Sequence, residues 1–352
     1  MNLKQLGFNE FFEQQITYKK DNHLVGRVVL EHKHSYRVLT EKGEWLATVS
    51  GNFAYQAYAR KDYPAVGDFV LVEQMPGEEK AIIHQVLKRK SKFTRKMAGR
   101  EIEEQIVAAN VDIVFLTMSL NADFNVRRLE RYLVAAWDSG ATPVILLTKA
   151  DLCLDVAHYL NEVSEVAVGV DVLVVSAVSG EGMAELQNVL TEGKTAALLG
   201  SSGAGKSTIT NALLQNEQMK VSAIRQEDAK GRHTTTHREL VVLPTGACLI
   251  DTPGMRELQL WDQGNSLETT FSDIEELANH CRFRDCTHKK EPGCSVLHAV
   301  ATGELEENRL KSYFKLQQEL AYMERKASTD AMLAEKRKWK DISKKQKNMK
   351  KV

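Results

Sequence analysis

Gly200-Ser201-Ser202-Gly203-Ala204-Gly205-Lys206-Ser207-Thr208 sets a glycine loop, a lysine and two hydroxyls directly behind the apolar run Ala196–Leu199. This complete G-x-x-x-x-G-K-[ST] spacing, with a strand before it and a helix after it, suits the phosphates of a nucleotide. The glycines let the backbone curl so that successive N–H groups point at an anion, in conformations a Cβ would obstruct. Lys206 is spaced to reach the β and γ phosphates and Ser207 to offer its hydroxyl to Mg²⁺. The helix that starts there aims the positive end of its dipole at the same place.

A second set reads the base. Thr148-Lys149-Ala150-Asp151 ends the apolar strand Pro143–Leu147. The Asp151 carboxylate can accept hydrogen bonds from N1–H and the 2-amino group of guanine, which adenine cannot supply, and Lys149 would pack along the base. Ser176-Ala177-Val178 follows another strand, Asp171–Val175. Asp251-Thr252-Pro253-Gly254 closes a third, Ala247–Ile250, and Gly231–His237 reads GRHTTTH.

A third set has the residue types of a metal site. Cys281, Cys286, His288 and Cys294 are spaced x4, x1 and x5, a Cys₃His arrangement suited to tetrahedral zinc although the C-x-x-C knuckle is absent. An odd total of five cysteines, three of them crowded beside a histidine, favours metal over disulfides in a reducing cytosol. Cys153 and Cys248 read as packing residues.

The elements that must carry these groups fall into three regions. The first, 1–98, holds five short strand candidates, His23–Leu30, Ser35–Thr40, Glu44–Ser50, Asp68–Glu73 and Lys80–Val86, expected to form a small OB-like barrel. Tyr36, Arg37, Trp45, Phe53, Tyr55, Tyr58, Arg60, Lys61 and Tyr63 interleave aromatic and basic side chains there, either for stacking on RNA bases or for packing. A basic connector from Lys88 to Arg100 reads as a solvated linker or an RNA contact, ahead of an acidic turn at Glu101–Glu104. In 99–265, strands and helices alternate as in a parallel α/β sheet, starting from the strand Val111–Thr117. Region 266–352 carries the cysteines, a helix from about Gly303 to Lys326, and a tail, Lys336–Lys351, suited either to rRNA phosphates or to solvation.

At 352 residues, about two or three domains are expected. Lys+Arg and Asp+Glu both count 47, so no global field draws the chain to a polyanion and RNA contacts must come from local patches. The N-terminus lacks a signal-peptide pattern and no apolar run approaches a membrane span, so a cytoplasmic protein is expected.

Together these segments resemble the G motifs of P-loop GTPases: G1 at Gly200–Thr208, G2 around Thr234–Thr236, G3 at Asp251–Gly254, G4 at Thr148–Asp151 and G5 at Ser176–Val178. Their order along the chain, G4-G5-G1-G2-G3, is a circular permutation. With a barrel in front and a Cys/His cluster behind, the chain resembles the RsgA (YjeQ/YloQ) family of ribosome small-subunit-dependent GTPases from about Val25 to about Glu324. One departure is Thr148, where the family usually has Asn. Without the amide that ties this loop to its neighbours, weaker guanine binding is expected.

The resemblance implies Mg²⁺ held by Ser207 and Thr235, with Thr234 as runner-up, Asp251 acting on the metal through water, and the Gly254 N–H sensing the γ-phosphate. Met255 stands where many GTPases carry a water-orienting Gln, so slow intrinsic hydrolysis accelerated by a partner is expected. His233 is the candidate for positioning water, and a structural histidine is the competing reading. The implied protein is a monomeric GTPase with one structural zinc that binds the 30S subunit and its 16S rRNA and hydrolyses GTP late in subunit maturation. The rival readings are an RNA-binding assembly protein that uses nucleotide only as a switch, and an ATP-dependent enzyme, which Asp151 opposes.

Overall fold

Five strands close on themselves at the N-terminal end of the chain in the computed structural model, which describes residues 2–16, 22–33, 35–96, 104–214, 239–251, 266–322 and 325. They are β1 (His23–Glu31), β2 (Tyr36–Thr40), β3 (Gly43–Val49), β4 (Phe69–Gln74) and β5 (Lys80–Val86). The order is β1-β2-β3-β5-β4, and β4 returns to β1, with β3 and β5 running parallel. This is the expected OB-like closure, which leaves no free sheet edge. Strand β2 alternates buried and half-buried residues, and Val28, Tyr36, Val38, Ala47, Val70, Val72, Ala81 and Ile83 fill the interior.

The interleaved aromatics divide between buried and exposed positions. Tyr36 is core, and burial, with Glu31 nearby, pushes its phenol up to about 12. Tyr55 and Tyr58, on and after the short helix α2 (Gly51–Gln56), are 87% and 85% exposed. Arg37 pairs with Glu44 and Arg60 with Glu31. Ahead of the barrel, helix α1 (Glu10–Glu13), capped by Asn9, sets Phe12 against Phe69 with ring centroids 4.4 Å apart.

The connector departs from expectation. Lys92–Lys96 is a strand, β6, paired with a second, β7 (Glu104–Ala109), where the sequence suggested a linker and a turn at Glu104. The charges in Lys92-Phe93-Thr94-Arg95-Lys96 hid a β pattern in which Phe93 and Thr94 are buried. Residues 97–103 lie outside the described set. Arg89, also counted as linker, is anchored by Nε and Nη2 to the two oxygens of the buried Asp68, at 2.7 and 2.6 Å.

The next strands are β8 (Ile113–Ser119), β9 (Thr142–Thr148), β10 (Val172–Val175), β11 (Thr195–Gly200), β12 (Glu239–Val242) and β13 (Cys248–Asp251). They lie in the order β10-β9-β8-β11-β13-β12, parallel except for β12 against β13. Helices α3 (Val126–Ser139), α4 (Val156–Ser164), α5 (Met183–Val189) and α6 (Lys206–Leu213) connect them. Runs such as Val144–Leu147 read as continuous apolar sequence because both faces of a parallel sheet are covered. Ile113, Phe115, Leu146, Leu198, Ile209 and Leu249 share one cluster. Strand β8 starts two residues later than the apolar run suggests, because Asp112 turns its carboxylate to the Thr195 N–H (2.8 Å) instead of extending the strand.

Leu30 of β1 pairs with Glu239 of β12, so barrel and parallel sheet form one eleven-stranded sheet and one compact unit. Arg27 pins the junction. Fully buried, it donates to the carbonyls of Gly67 (3.2 Å), Asn110 (3.1 Å) and Leu6, and stacks over Phe69; burial lowers its pKa.

The second unit is helical. Segments Ser266–Thr270, Ser272–Ala278, Ser295–Thr302 and 307–322 gather around Phe271, Ile274, Val296 and Leu310. Arg309 reaches both oxygens of Asp273, at 2.5 and 2.7 Å, and lies over the Phe271 ring, while the Tyr313 hydroxyl donates to Glu275 (2.9 Å). No helix among the described residues is long and apolar enough to cross a membrane.

Candidate nucleotide site and metal centre

The registers of the parallel sheet bring the predicted motifs to one edge. Gly200 at the end of β11 is opposite Thr117 of β8, Ser119 of β8 is opposite Thr148 of β9, and Thr148 is opposite Val175 of β10. The phosphate loop, the Thr148–Asp151 loop and the Ser176–Val178 loop therefore all leave from the carboxyl ends of β11, β9 and β10, on the edge where open α/β sheets bind ligands. Their permuted order along the chain does not matter to the sheet.

The phosphate loop needs its glycines. A Cβ on Gly200 would sit 2.4 Å from the Thr117 carbonyl oxygen, and Gly205 caps α6 in the left-handed region at φ 89°. Lys206 Nζ arches over the loop, donating to the carbonyls of Gly200 (2.7 Å) and Ser201 (2.5 Å). Ser207 and Thr208 are exposed on the first turn of α6, Ser202 and Gly203 at the tip of the loop, and Ala204 is buried beneath it.

Two contacts at this site have no warning in the sequence. Thr148 Oγ1 donates to the Ala204 carbonyl at 2.7 Å, so the tie between base-reading and phosphate loops that an asparagine amide was expected to supply is made by the threonine hydroxyl. Ser201 Oγ donates to Asp123 Oδ2 at 2.5 Å, and Arg128 holds the same carboxylate from α3. The hydrogen bond from Ser201, then those from Arg128, keep Asp123 below the ordinary carboxylate range. Asp123 lies in an unremarkable loop after β8, and only the fold brings it to the phosphate loop.

The Thr148–Asp151 loop is also ordered from within. Lys149 takes the left-handed conformation at φ 62°, and Asp151 Oδ1 accepts from Ser176 Oγ at 2.5 Å. The same Ser176 oxygen accepts from the N–H groups of Val178 (3.2 Å) and Ser179 (3.1 Å), so Ser176, Ala177 and Asp151 are fixed as a set. Asp251 ends β13. Gly231–His237, with His233, Thr234, Thr235 and Thr236, lies outside the described residues, as do Gly254, Met255 and the basic tail.

Thr148 is 2% exposed. Thr148→Val is therefore expected to leave the Ala204 carbonyl without its partner at a cost of roughly 1–3 kcal/mol, read as a lower thermal midpoint and weaker GDP binding. Thr148→Asn is expected to restore both.

The cysteine cluster fits zinc on its distances. Cys281 Sγ is 3.8 Å from Cys294 Sγ and 3.6 Å from His288 Nδ1, which is 3.4 Å from Cys294 Sγ. Tetrahedral zinc at ordinary bond lengths separates two sulfurs by about 3.7 Å and sulfur from nitrogen by about 3.6 Å. Cys286 completes the group, with all four ligand atoms within 4.8 Å of one another. Cys294 also accepts from the Leu297 N–H as it caps the following helix, and His288 sits at φ 57° to turn inward. The four protein ligands leave no open position, so the ion they suit is structural. Cys286→Ser is expected to lower metal content by one ion per chain and to abolish the cooperative melting of the second unit, as measured by metal analysis and calorimetry.

Fold and site together define a circularly permuted P-loop GTPase with an OB-like barrel and a Cys₃His centre. The family model described as RsgA GTPase matches residues 86–261. A Small ribosomal subunit biogenesis GTPase RsgA 1 of Oceanobacillus iheyensis is 46% identical over 99% of both chains. An RsgA 2 of Lactiplantibacillus plantarum is 48% identical over 92% of this chain and 90% of its own. The chain belongs to the RsgA GTPase family. Among solved structures, YjeQ from Thermotoga maritima shares 29% identity at a TM-score of 0.63, covering 85% of this chain and 99% of that one. YloQ, titled a circularly permuted GTPase, shares 25% at 0.61, covering 87% and 99%. An ABC transporter model also matches residues 184–345, a stretch that includes the phosphate loop common to both families.

Proposed function

We infer that this protein is a GTP hydrolase acting in biogenesis of the small ribosomal subunit. The observation that carries this is the Thr148–Ala204 hydrogen bond, which joins a guanine-reading loop to a phosphate loop in a chain nearly half identical to named RsgA proteins over its whole length. The incidental-turnover and ATPase readings have no such support.

The proposed division of labour keeps Gly200 to Thr208 on the phosphates, with Lys206 transferring its ammonium from the loop carbonyls to the β and γ phosphates. Thr148 to Asp151, with Ser176 and Ala177, hold the guanine. Ser207, exposed on α6, and Thr235 would hold Mg²⁺, which neutralises charge developing on the transferred phosphoryl. Asp251 would act on that ion through water, the Gly254 N–H would sense the γ-phosphate, and His233 would orient water. Zinc in the Cys₃His centre would fix the helical region, and regions 1–98 and 266–352 would contact the 30S subunit and its 16S rRNA. A cytoplasmic monomer fits this role.

Steady-state phosphate release measured with purified small subunits, large subunits and neither tests the reading. The rate is expected to rise with small subunits alone. Equal rates in all three would remove the ribosomal role, and a His233→Ala variant stimulated as well as the parent would remove His233.

A further inference from the structure

A second cluster of metal-ligating side chains lies on the barrel, outside the residues of both the nucleotide site and the cysteine centre. His23, the first residue of β1, is the register partner of Glu73 on β4. His84 of β5 approaches Glu73 with Nε2 2.9 Å from Oε2. The two imidazoles face each other with centroids 5.0 Å apart and planes 20° from parallel. One ligand atom from each of the three residues lies within 4.8 Å of the other two. We propose that His23, Glu73 and His84 form a second transition-metal site, a two-histidine, one-carboxylate zinc site that ties β1, β4 and β5 together.

The donor set selects the ion. Two imidazoles and one carboxylate suit zinc and its borderline neighbours, whereas Mg²⁺ and Ca²⁺ prefer all-oxygen shells. Zinc–ligand bonds of about 2.0–2.1 Å in a tetrahedron set the ligand atoms about 3.3 Å apart, so His84 and Glu73 need part by only a few tenths of an ångström. Their side chains can do so, being 33% and 34% exposed, while His23 is buried against the wall at 8%. Solvent thus reaches the site from one side, which supplies an entry path and a water for the fourth position.

Two further features support an ion. Asn22 Nδ2 donates to Glu73 Oε1, the kind of outer contact that fixes a ligating carboxylate while its other oxygen binds. The Glu73 carboxylate lies against both rings, and a divalent cation there would offset its negative charge. The three ligands come from strands that close the barrel, so zinc would act there as a cross-link and make barrel stability depend on zinc supply.

The test uses the full chain with its cysteine centre loaded. The parent is expected to take up a second zinc ion per chain. The cobalt-substituted form is expected to gain weak d–d absorption without the thiolate charge-transfer band that marks the cysteine centre. His84→Gln and Glu73→Gln should each lose this second ion while keeping the first, and Asn22→Ala should weaken it about tenfold. Added zinc should raise the melting temperature of the parent but not of His84→Gln, whose basal GTP hydrolysis verifies folding. Uptake of a single ion by the parent, or a second ion retained by His84→Gln, would overturn the proposal and leave the cluster as a hydrogen-bonded His–Glu pair beside a stacked ring.

Discussion

Replacing Lys206 with alanine is expected to lower GTP hydrolysis by about 100- to 1,000-fold, the usual cost of removing one preorganised group from developing transition-state charge. Its ammonium is the only cation the loop sequence Gly200–Thr208 carries. It is held within 2.7 Å of the Gly200 carbonyl oxygen and 2.5 Å of that of Ser201, so it is already over the cradle that takes the phosphates. Affinity for GDP should fall as well, because the same ammonium serves the β phosphate. A fall in GDP affinity with kcat unchanged would mean that Lys206 binds without favouring the transition state. Single-turnover hydrolysis beside equilibrium GDP binding makes the comparison.

Asp151→Asn is expected to change which base is read. Each charge-assisted bond from the carboxylate to N1–H or the 2-amino group of guanine contributes roughly 1.5–3 kcal/mol, so losing both lowers GTP affinity by at least about 100-fold. The asparagine amide can instead donate to the carbonyl that xanthine carries at the same ring position. XTP binding should therefore rise as GTP binding falls. Ser176 Oγ can still donate to the side-chain oxygen it now holds at 2.5 Å, so the loop should keep its shape. Unchanged GTP affinity would place the guanine elsewhere.

The sequence made the proposed site's chemistry legible because the groups that would touch phosphate and base are recognised by type and spacing. Gly200, Lys206, Asp151 and Ser176 could each be read from the chain, and the registers through Thr117, Ser119 and Thr148 put them on one edge. The contacts that hold them in place were hidden. The Thr148 hydroxyl reaches a carbonyl 56 residues away and Ser201 a carboxylate 78 residues away, distances that no local pattern records. Strand β6 was obscured for a different reason: its lysines and arginine gave a charge run, and the buried Phe93 and Thr94 were too few to set a period. His23, Glu73 and His84 are scattered over three strands, so they become a cluster only when the barrel closes.

The most direct measurement is the structure of the full chain with GDP and Mg²⁺ bound. One GDP molecule is expected to contact both loops, with Lys206 Nζ on its β phosphate and the Asp151 carboxylate on N1 and the 2-amino group of its guanine. A nucleotide bound by the phosphate loop with its base turned away from Asp151 would contradict the account.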